Sequence, residues 1–269
     1  MLSISDAEFE DIKRIMFDLT GVRLKETKKP LVISRLRRRL EELGDASFST
    51  YIKRLSAAHP DEMEYLVNAL TTNETFFFRH TKQFNFLYEK ILPAFVEQGK
   101  KKIEVWSGAS STGEEPYSLS IALTEFAKKY PLDFKIYASD INTEVIAQAQ
   151  EAVYDERSLK EVSQSLRERY FKPVVKSRMS TQYMVTDQIK SKVEFFEHNL
   201  QQASTLRGMD IIFLRNVLIY FERDIKEKVI NLLEPSLRSG GYFVISLSEN
   251  LSDIQTQLRL IESGVFIKP

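Results

Sequence analysis

Three segments of this chain place polar and charged residues where a strand-like hydrophobic run has just ended, the position at which open parallel sheets bind ligands, and a fourth joins two parts of the chain. The first, Ser107-Gly108-Ala109-Ser110-Ser111-Thr112-Gly113-Glu114-Glu115-Pro116-Tyr117-Ser118, follows Ile103-Glu104-Val105-Trp106. Its small residues allow a ligand to approach the backbone closely. It is not G-x-G-x-x-G, and the two acids at its helix start would repel a pyrophosphate. A neutral or cationic ligand is expected there, unless the segment is only a strand-to-helix turn whose acids complement the helix dipole. The second, Ser139-Asp140-Ile141-Asn142, follows Lys135-Ile136-Tyr137-Ala138. An acid at this point is the usual ribose acceptor of dinucleotide folds, though Asp140 lies further on than the ~20 residues of that motif. It serves equally well as a helix N-cap. The third, Arg215-Asn216-Val217-Leu218-Ile219-Tyr220-Phe221, follows Ile211-Ile212-Phe213-Leu214. Arg and Asn suit a cleft better than a core; Tyr220 fits either a cleft or a packed site with its hydroxyl at the rim. The fourth, Thr71 to His80, carries Phe76, Phe77 and Phe78 before Arg79. It can lie over the cleft with Arg79 and its polar residues facing a ligand while the Phe residues pack, or simply link two domains.

Other chemistries are excluded or disfavoured. The chain has no cysteine, so disulfides, thiol nucleophiles and Cys-based zinc sites are out. His59, His80 and His198 are scattered, and no metal site is expected. A formal net charge of zero argues against salt-driven nucleic-acid binding. The first residues lack a basic stretch followed by an apolar one, and no run approaches the ~18 apolar residues of a membrane span. A soluble, cytoplasmic protein is the expectation. S-adenosylmethionine suits the acidic loop, having a sulfonium and an ammonium and no phosphate.

The elements that must position these segments follow from periodicity. With 269 residues, 43% apolar and 28% charged, the chain can bury the core of one large or two modest domains. Residues 1 to about 70 read as helices only. Ser5 caps one that carries Phe9, Ile12, Ile15 and Met16 and ends at Gly21; Pro30 to Leu43 forms another, ending at Gly44. Shorter helices are expected at 51–55 and 61–70. Phe84 to Phe95 is helical. Thereafter the apolar runs already named, with Val193 to Phe196 and Tyr242 to Ile245, alternate with helices such as 117–129 and 144–152. That alternation predicts an α/β fold with a parallel sheet covered on both faces. Gly264 to Ile267 can pair antiparallel beside the Tyr242 strand. Residues 156–192 break the alternation and read as a small inserted subdomain.

Together these segments resemble the chemotaxis receptor methyltransferases, the CheR family. The motifs are T-T-N-x-T-x-F-F-R at 71–79, W-S-x-x-x-S-T-G-E-E-P-Y-S at 106–118, A-S-D-I at 138–141, R-N-V-x-I-Y-F at 215–221 and S-E-N at 248–250. The resemblance implies an all-helical domain over 1–70 and a linker over 71–82 contributing to the cofactor site. A class I methyltransferase domain, Rossmann-like with an antiparallel last strand, would fill 83–269, with a β-subdomain inserted at about 156–192. It implies that Asn73, Thr75, Arg79, Glu115, Asp140, Asn199, Leu200, Arg215 and Asn216 line a S-adenosylmethionine site, Asp140 at the ribose and Glu115 at the cationic end or polar tail. Whether Glu114 shares that role is left open by their adjacency. Arg79 and Tyr220 would stand beside the transferring methyl. The chain departs from many relatives at Leu247, where His is frequent, and at Leu214, where Cys is. Residues 172–192 contain no glycine, whereas relatives that dock on a receptor's C-terminal peptide have a Gly-rich loop there; this argues against peptide tethering.

The implied reaction is esterification of glutamate side chains on chemoreceptors by S-adenosylmethionine, leaving S-adenosylhomocysteine. A glutamate with a reference pKa near ~4.3 is already ionised at neutral pH and needs no general base. Alignment of the reactants can contribute roughly 7–11 kcal/mol. Eight Lys or Arg residues and one acid, Glu26, lie between Arg23 and Arg39. Arg35, Arg38 and Arg39 share a helix flank that complements an acidic receptor helix, or else forms a solvated face. The alternatives are a methyltransferase for another substrate and a non-catalytic module that binds the cofactor and signals by contact.

Overall fold

The computed structural model describes residues 3–45, 47–177 and 180–269. Four helices, α1 (Asp6–Thr20), α2 (Lys29–Leu43), α3 (Phe48–Ser56) and α4 (Pro60–Leu70), form the N-terminal part. Their ends obey local chemistry. At α1 the Ser5 hydroxyl accepts the Glu8 N–H while the Glu8 carboxylate accepts the Ser5 N–H, a reciprocal capping box. Gly21, at φ 74°, closes the same helix in the left-handed conformation that glycine adopts without penalty. A β-carbon at Gly21 would also meet Ile225 and Gln201 of the following domain, so the chain passes close there. The apolar stripes Phe9, Ile12 and Met16 of α1 and Val32, Leu36 and Leu40 of α2 bury against Tyr51, Leu55 and Leu66. Full burial of each such side chain contributes roughly 1.5–3 kcal/mol.

After the linker come α5 (Thr81–Phe86), a π-helical turn (Leu87–Ile91) and α6 (Leu92–Glu97). Then follow β1 (Lys102–Gly108), α7 (Glu114–Ala127), β2 (Asp133–Asp140), α8 (Thr143–Glu151), β3 (Val153–Asp155), α9 (Gln164–Tyr170), β4 (Phe171–Ser177), β5 (Ser180–Val185) and α10 (Asp187–Lys190). The chain ends with β6 (Val193–Glu197), β7 (Met209–Leu214), a 3-10 turn (Leu218–Tyr220), α11 (Arg223–Leu233), β8 (Leu237–Val244), β9 (Arg259–Glu262) and β10 (Val265–Ile267).

The main sheet has seven strands in the order β6-β2-β1-β7-β8-β10-β9. The first five are parallel; β10 lies antiparallel to β8, as the last apolar run predicts, and β9 lies antiparallel to β10. This is a mostly parallel α/β sheet with an antiparallel end and an all-helical N-terminal part, the architecture that the resemblance implies. The strand order reverses at β1, so the carboxyl ends of β1, β2 and β7 diverge into a crevice. All of β7 is buried, and its side chains alternate: Ile211 and Phe213 join one core, Ile212 and Leu214 the other.

The inserted stretch forms a second, antiparallel sheet, β3-β5-β4. It begins at Val153, ahead of the expected boundary near 156, because β3 leaves α8 directly. The strand pattern missed β3 and β9. The first is three residues long, and all four residues of the second are exposed, so neither shows an alternating apolar face. Positions 178 and 179 of the glycine-free segment lie outside the described residues, as do the first two residues of the N-terminus. No helix among the described residues is long and apolar enough to cross a membrane.

Candidate active site

A cavity of about 530 Å³ opens where the carboxyl ends of β1, β2 and β7 meet the linker and the N-terminal helices. It is within the ~300–1,000 Å³ usual for small-molecule sites. Asn73, Thr75, Arg79, Glu115, Asp140, Asn199, Leu200, Arg215, Asn216 and Tyr220 all line it, although they come from five separate stretches of chain.

Asp140 ends β2 and is 7% exposed. One of its oxygens accepts the Ser111 N–H at 2.8 Å, the other the Asn142 N–H at 3.0 Å. It is not the cap of α8. That role belongs to Asn142, whose side chain accepts the Val145 N–H at 3.1 Å. Burial pushes the Asp140 carboxyl above the usual aspartate range, and the backbone N–H donors oppose that shift.

The adjacent acids of α7 part company. Glu115 faces the cavity, accepting the Ser107 hydroxyl at 2.7 Å and pairing with Arg215 at 3.1 Å. Glu114 turns away to accept the Thr112 hydroxyl at 2.6 Å and the Ser158 hydroxyl at 3.3 Å. Successive helix positions are about 100° apart, so only one of the two can reach the cleft. Burial raises the pKa of both; for Glu115 the Arg215 charge opposes the rise. Burial lowers Arg215 for the same reason, with Glu115 opposing.

The linker is pinned from both sides. Phe77 is wholly buried edge-on against Tyr154 at 4.8 Å and Phe171 at 5.0 Å, and its N–H donates to the Ser158 carbonyl. The Phe78 N–H donates to the Ser118 hydroxyl at 2.9 Å. Phe76, by contrast, lines the cavity, where the sequence reading had all three Phe residues packing. Arg79 donates to the Glu74 carbonyl at 2.8 Å, and its own carbonyl accepts from Arg215. Asn199 lines the cavity while donating its amide to the Leu19 carbonyl at 2.8 Å, which ties the sheet domain to α1. Asn142 does the same towards α4, donating to the Asn68 carbonyl and the Thr71 hydroxyl.

Arg35, Arg38 and Arg39 do not line the cavity. The three arginines expected to share one flank of α2 differ in their partners. Arg35 donates to the Ala69 and Thr71 carbonyls at 2.8 Å each, closing the end of α4. Arg39 binds Glu62 through two hydrogen bonds, 2.6 and 3.0 Å, and Glu62 is 5% exposed. Arg38 contacts Glu42 one helical turn away and keeps its side chain 85% exposed. The N-terminal part meets the cavity instead through residues between Thr20 and Lys28 together with Leu31 and Leu70; Arg23, Lys25 and Lys28 stand on the wall, Arg23 paired with Glu222 at 2.9 Å. These three belong to the basic run read from sequence, but only the docking of the helices singles them out.

Paired opposite charges at one point and a buried hydroxyl acceptor at another suit a ligand with a zwitterionic end and a sugar. Ser110, His198 and Arg215 line the cavity, and their Oγ, Nε2 and Nε atoms are buried with no hydrogen-bond partner among the described residues.

Known proteins carry the same two parts. Residues 7–71 match the family described as CheR methyltransferase, all-alpha domain, and residues 73–267 match CheR methyltransferase, SAM binding domain. The chain is 35% identical over 266 residues to a chemotaxis protein methyltransferase of Vibrio parahaemolyticus, covering 97% of this chain and 95% of that one. It is 35% identical over 268 residues to that of Salmonella typhimurium, covering 98% and 91%. For the Escherichia coli protein the figures are 33% over 268 residues, covering 98% and 92%.

Proposed function

Because the chain belongs to the CheR chemotaxis protein methyltransferase family, and is therefore an S-adenosylmethionine-dependent enzyme acting on chemoreceptors, we propose that it esterifies receptor glutamates in the cavity described above. The observation that carries this reading is the convergence of ten expected site residues, eight of them from the quoted motifs, on one cavity at the sheet's reversal point.

The residues present fit the cofactor. Asp140 accepts ribose hydroxyls, and its two backbone donors hold the carboxylate in place for them. Glu115 and Arg215 take the ammonium and carboxylate of the amino-acid end. Asn73, Thr75, Asn199, Leu200 and Asn216 complete the lining. When bound, S-adenosylmethionine supplies an electrophilic methyl group on a sulfonium. Arg79 holds the incoming carboxylate, and the Tyr220 hydroxyl orients it. No proton need be removed, since the carboxylate is ionised near ~4.3 and above. The chain's task is alignment and exclusion of water.

The acidic receptor helix docks on the basic wall formed by Arg23, Lys25 and Lys28, with Arg38 extending it on α2. Arg35 and Arg39 serve that surface by fixing α2 against α4. Attraction of this kind acts chiefly on encounter and specificity. The reaction takes place in the cytoplasm.

The test is methyl transfer from labelled S-adenosylmethionine to the cytoplasmic fragment of a chemoreceptor from the same host. Label released as methanol under mild alkali supports a carboxyl ester. Label that survives alkali points to N-methylation and overturns the proposal.

A further inference from the structure

The Ser248-Glu249-Asn250 stretch has no part in the cavity wall, yet Glu249 gathers three backbone donors. Its Oε2 accepts the Ser246 N–H at 2.8 Å and the Asn216 N–H at 3.1 Å; its Oε1 accepts the Ile219 N–H at 3.3 Å. The Glu249 N–H returns a bond to the Ser246 carbonyl at 3.0 Å, which closes a tight turn after β8. The Ser246 hydroxyl, buried, accepts the Asn216 side-chain amide at 3.0 Å. One carboxylate thus bolts the end of β8 to the end of β7.

What it bolts is conformationally unusual. Asn216 stands at φ 60°, in the left-handed region that few non-glycine residues enter and that Asn tolerates best. From there the chain turns into the 3-10 turn Leu218–Tyr220, whose Ile219 N–H has no helical acceptor of its own and is capped by Glu249. Asn216 and Tyr220 both face the cavity.

We infer that Glu249 is a positioning residue for methyl transfer: through the Asn216 and Ile219 amides it sets the turn that presents Tyr220 to the reacting carboxylate. This rests on the role proposed above for Tyr220. Glu249 is not a general base, since the acceptor is already ionised and both Glu249 oxygens are occupied. A carboxylate suits the task because both of its oxygens accept. The amide of a glutamine would present a donor to one of these N–H groups and leave a like-to-like contact.

The test is a double-mutant cycle of Glu249→Gln and Tyr220→Phe, read as kcat and KM for a chemoreceptor cytoplasmic fragment, with Kd for S-adenosylhomocysteine and Tm measured in parallel. Glu249→Gln should lower kcat about ten- to a hundredfold, the scale of a small misplacement of reacting groups. Kd should rise by no more than about threefold, because Asp140, Glu115 and Arg215 have other supports, and the double variant should be no slower than about the worse single one. Glu249→Gln with kcat within about twofold of the parent, or effects that multiply in the double variant, overturns the positioning role. A lowered Tm with normal kcat for the folded fraction overturns it too, leaving a purely structural contact. Tyr220→Phe with unchanged kcat overturns the role of Tyr220 itself, and this inference with it. If Glu249→Gln does not fold, Glu249→Asp, which keeps the charge and loses the reach, runs through the same cycle with the same criteria.

Discussion

Glu115 and Arg215 meet across the sheet's reversal point, Oε2 to Nη1 at 3.1 Å, one from the helix after β1 and the other from the end of β7. Arg215 is buried and Glu115 partly so, each is shifted towards neutrality by desolvation, and each is held charged by the other. Removing one partner leaves a buried charge uncompensated, which typically costs about 3–5 kcal/mol. Glu115→Ala should therefore lower stability in urea unfolding by that order as well as abolish cofactor binding. An alanine variant as stable as the parent would show that the pair is not maintained in solution.

Asp140 gives a pH signature. Its carboxyl is raised above 3.8 in the folded protein, so it takes up a proton at a higher pH than an unfolded aspartate does. Proton uptake by the folded state means that the stability lost to this buried charge is absent below pH 3.8 and grows as pH rises through the folded value. Cofactor binding runs the other way, because a protonated Asp140 is a poorer acceptor. Affinity for S-adenosylhomocysteine should fall on acidification, starting above the ordinary aspartate range, and Asp140→Asn should flatten that fall. Asp140→Ala should cost about 1.5–3 kcal/mol of binding, measured by calorimetry; unchanged affinity removes Asp140 from the site.

The arginines of α2 should separate in thermal denaturation. Arg39→Ala strands the buried Glu62 carboxylate and should lose about 3–5 kcal/mol. Arg38→Ala breaks only an exposed contact with Glu42, worth about 0–1 kcal/mol. Equal Tm values for the two variants would contradict the contacts seen.

The basic wall should act on substrate alone. A triple change of Arg23, Lys25 and Lys28 to Glu should raise KM for the receptor fragment and remove the inhibition by salt expected of the parent, given screening over ~8 Å at physiological ionic strength. A triple variant with normal KM at low salt would place the receptor elsewhere.

Phe77 couples the linker to the inserted sheet through Tyr154 and Phe171. Phe77→Ala should cost about 3–5 kcal/mol and, by loosening Arg79 two residues on, should lower kcat. Retained kcat in a folded variant would show that the linker holds its course without this anchor.

The sequence alone determined the order of helices and strands wherever an element was long and one face was apolar, because burial of that face imposes a period that local residues must carry. It also marked a candidate cleft, since polar residues directly after β1, β2 and β7 suit strand ends open to a ligand, although turns and helix caps call for the same residue types. Only the tertiary structure decided which polar atoms meet. Glu114 and Glu115 are indistinguishable until α7 is docked, since its rotation sends one to Arg215 and the other to Ser158. Arg39 looks like a surface cation until α4 brings Glu62 beneath it from 23 residues away. The pattern of Ser248-Glu249-Asn250 states no partner, because the three amides that Glu249 binds include two from a strand end more than 29 residues earlier, joined to it by β8 lying beside β7. Apolar periodicity is written within one element and can be read there, whereas a hydrogen bond between distant elements depends on how every intervening element packs.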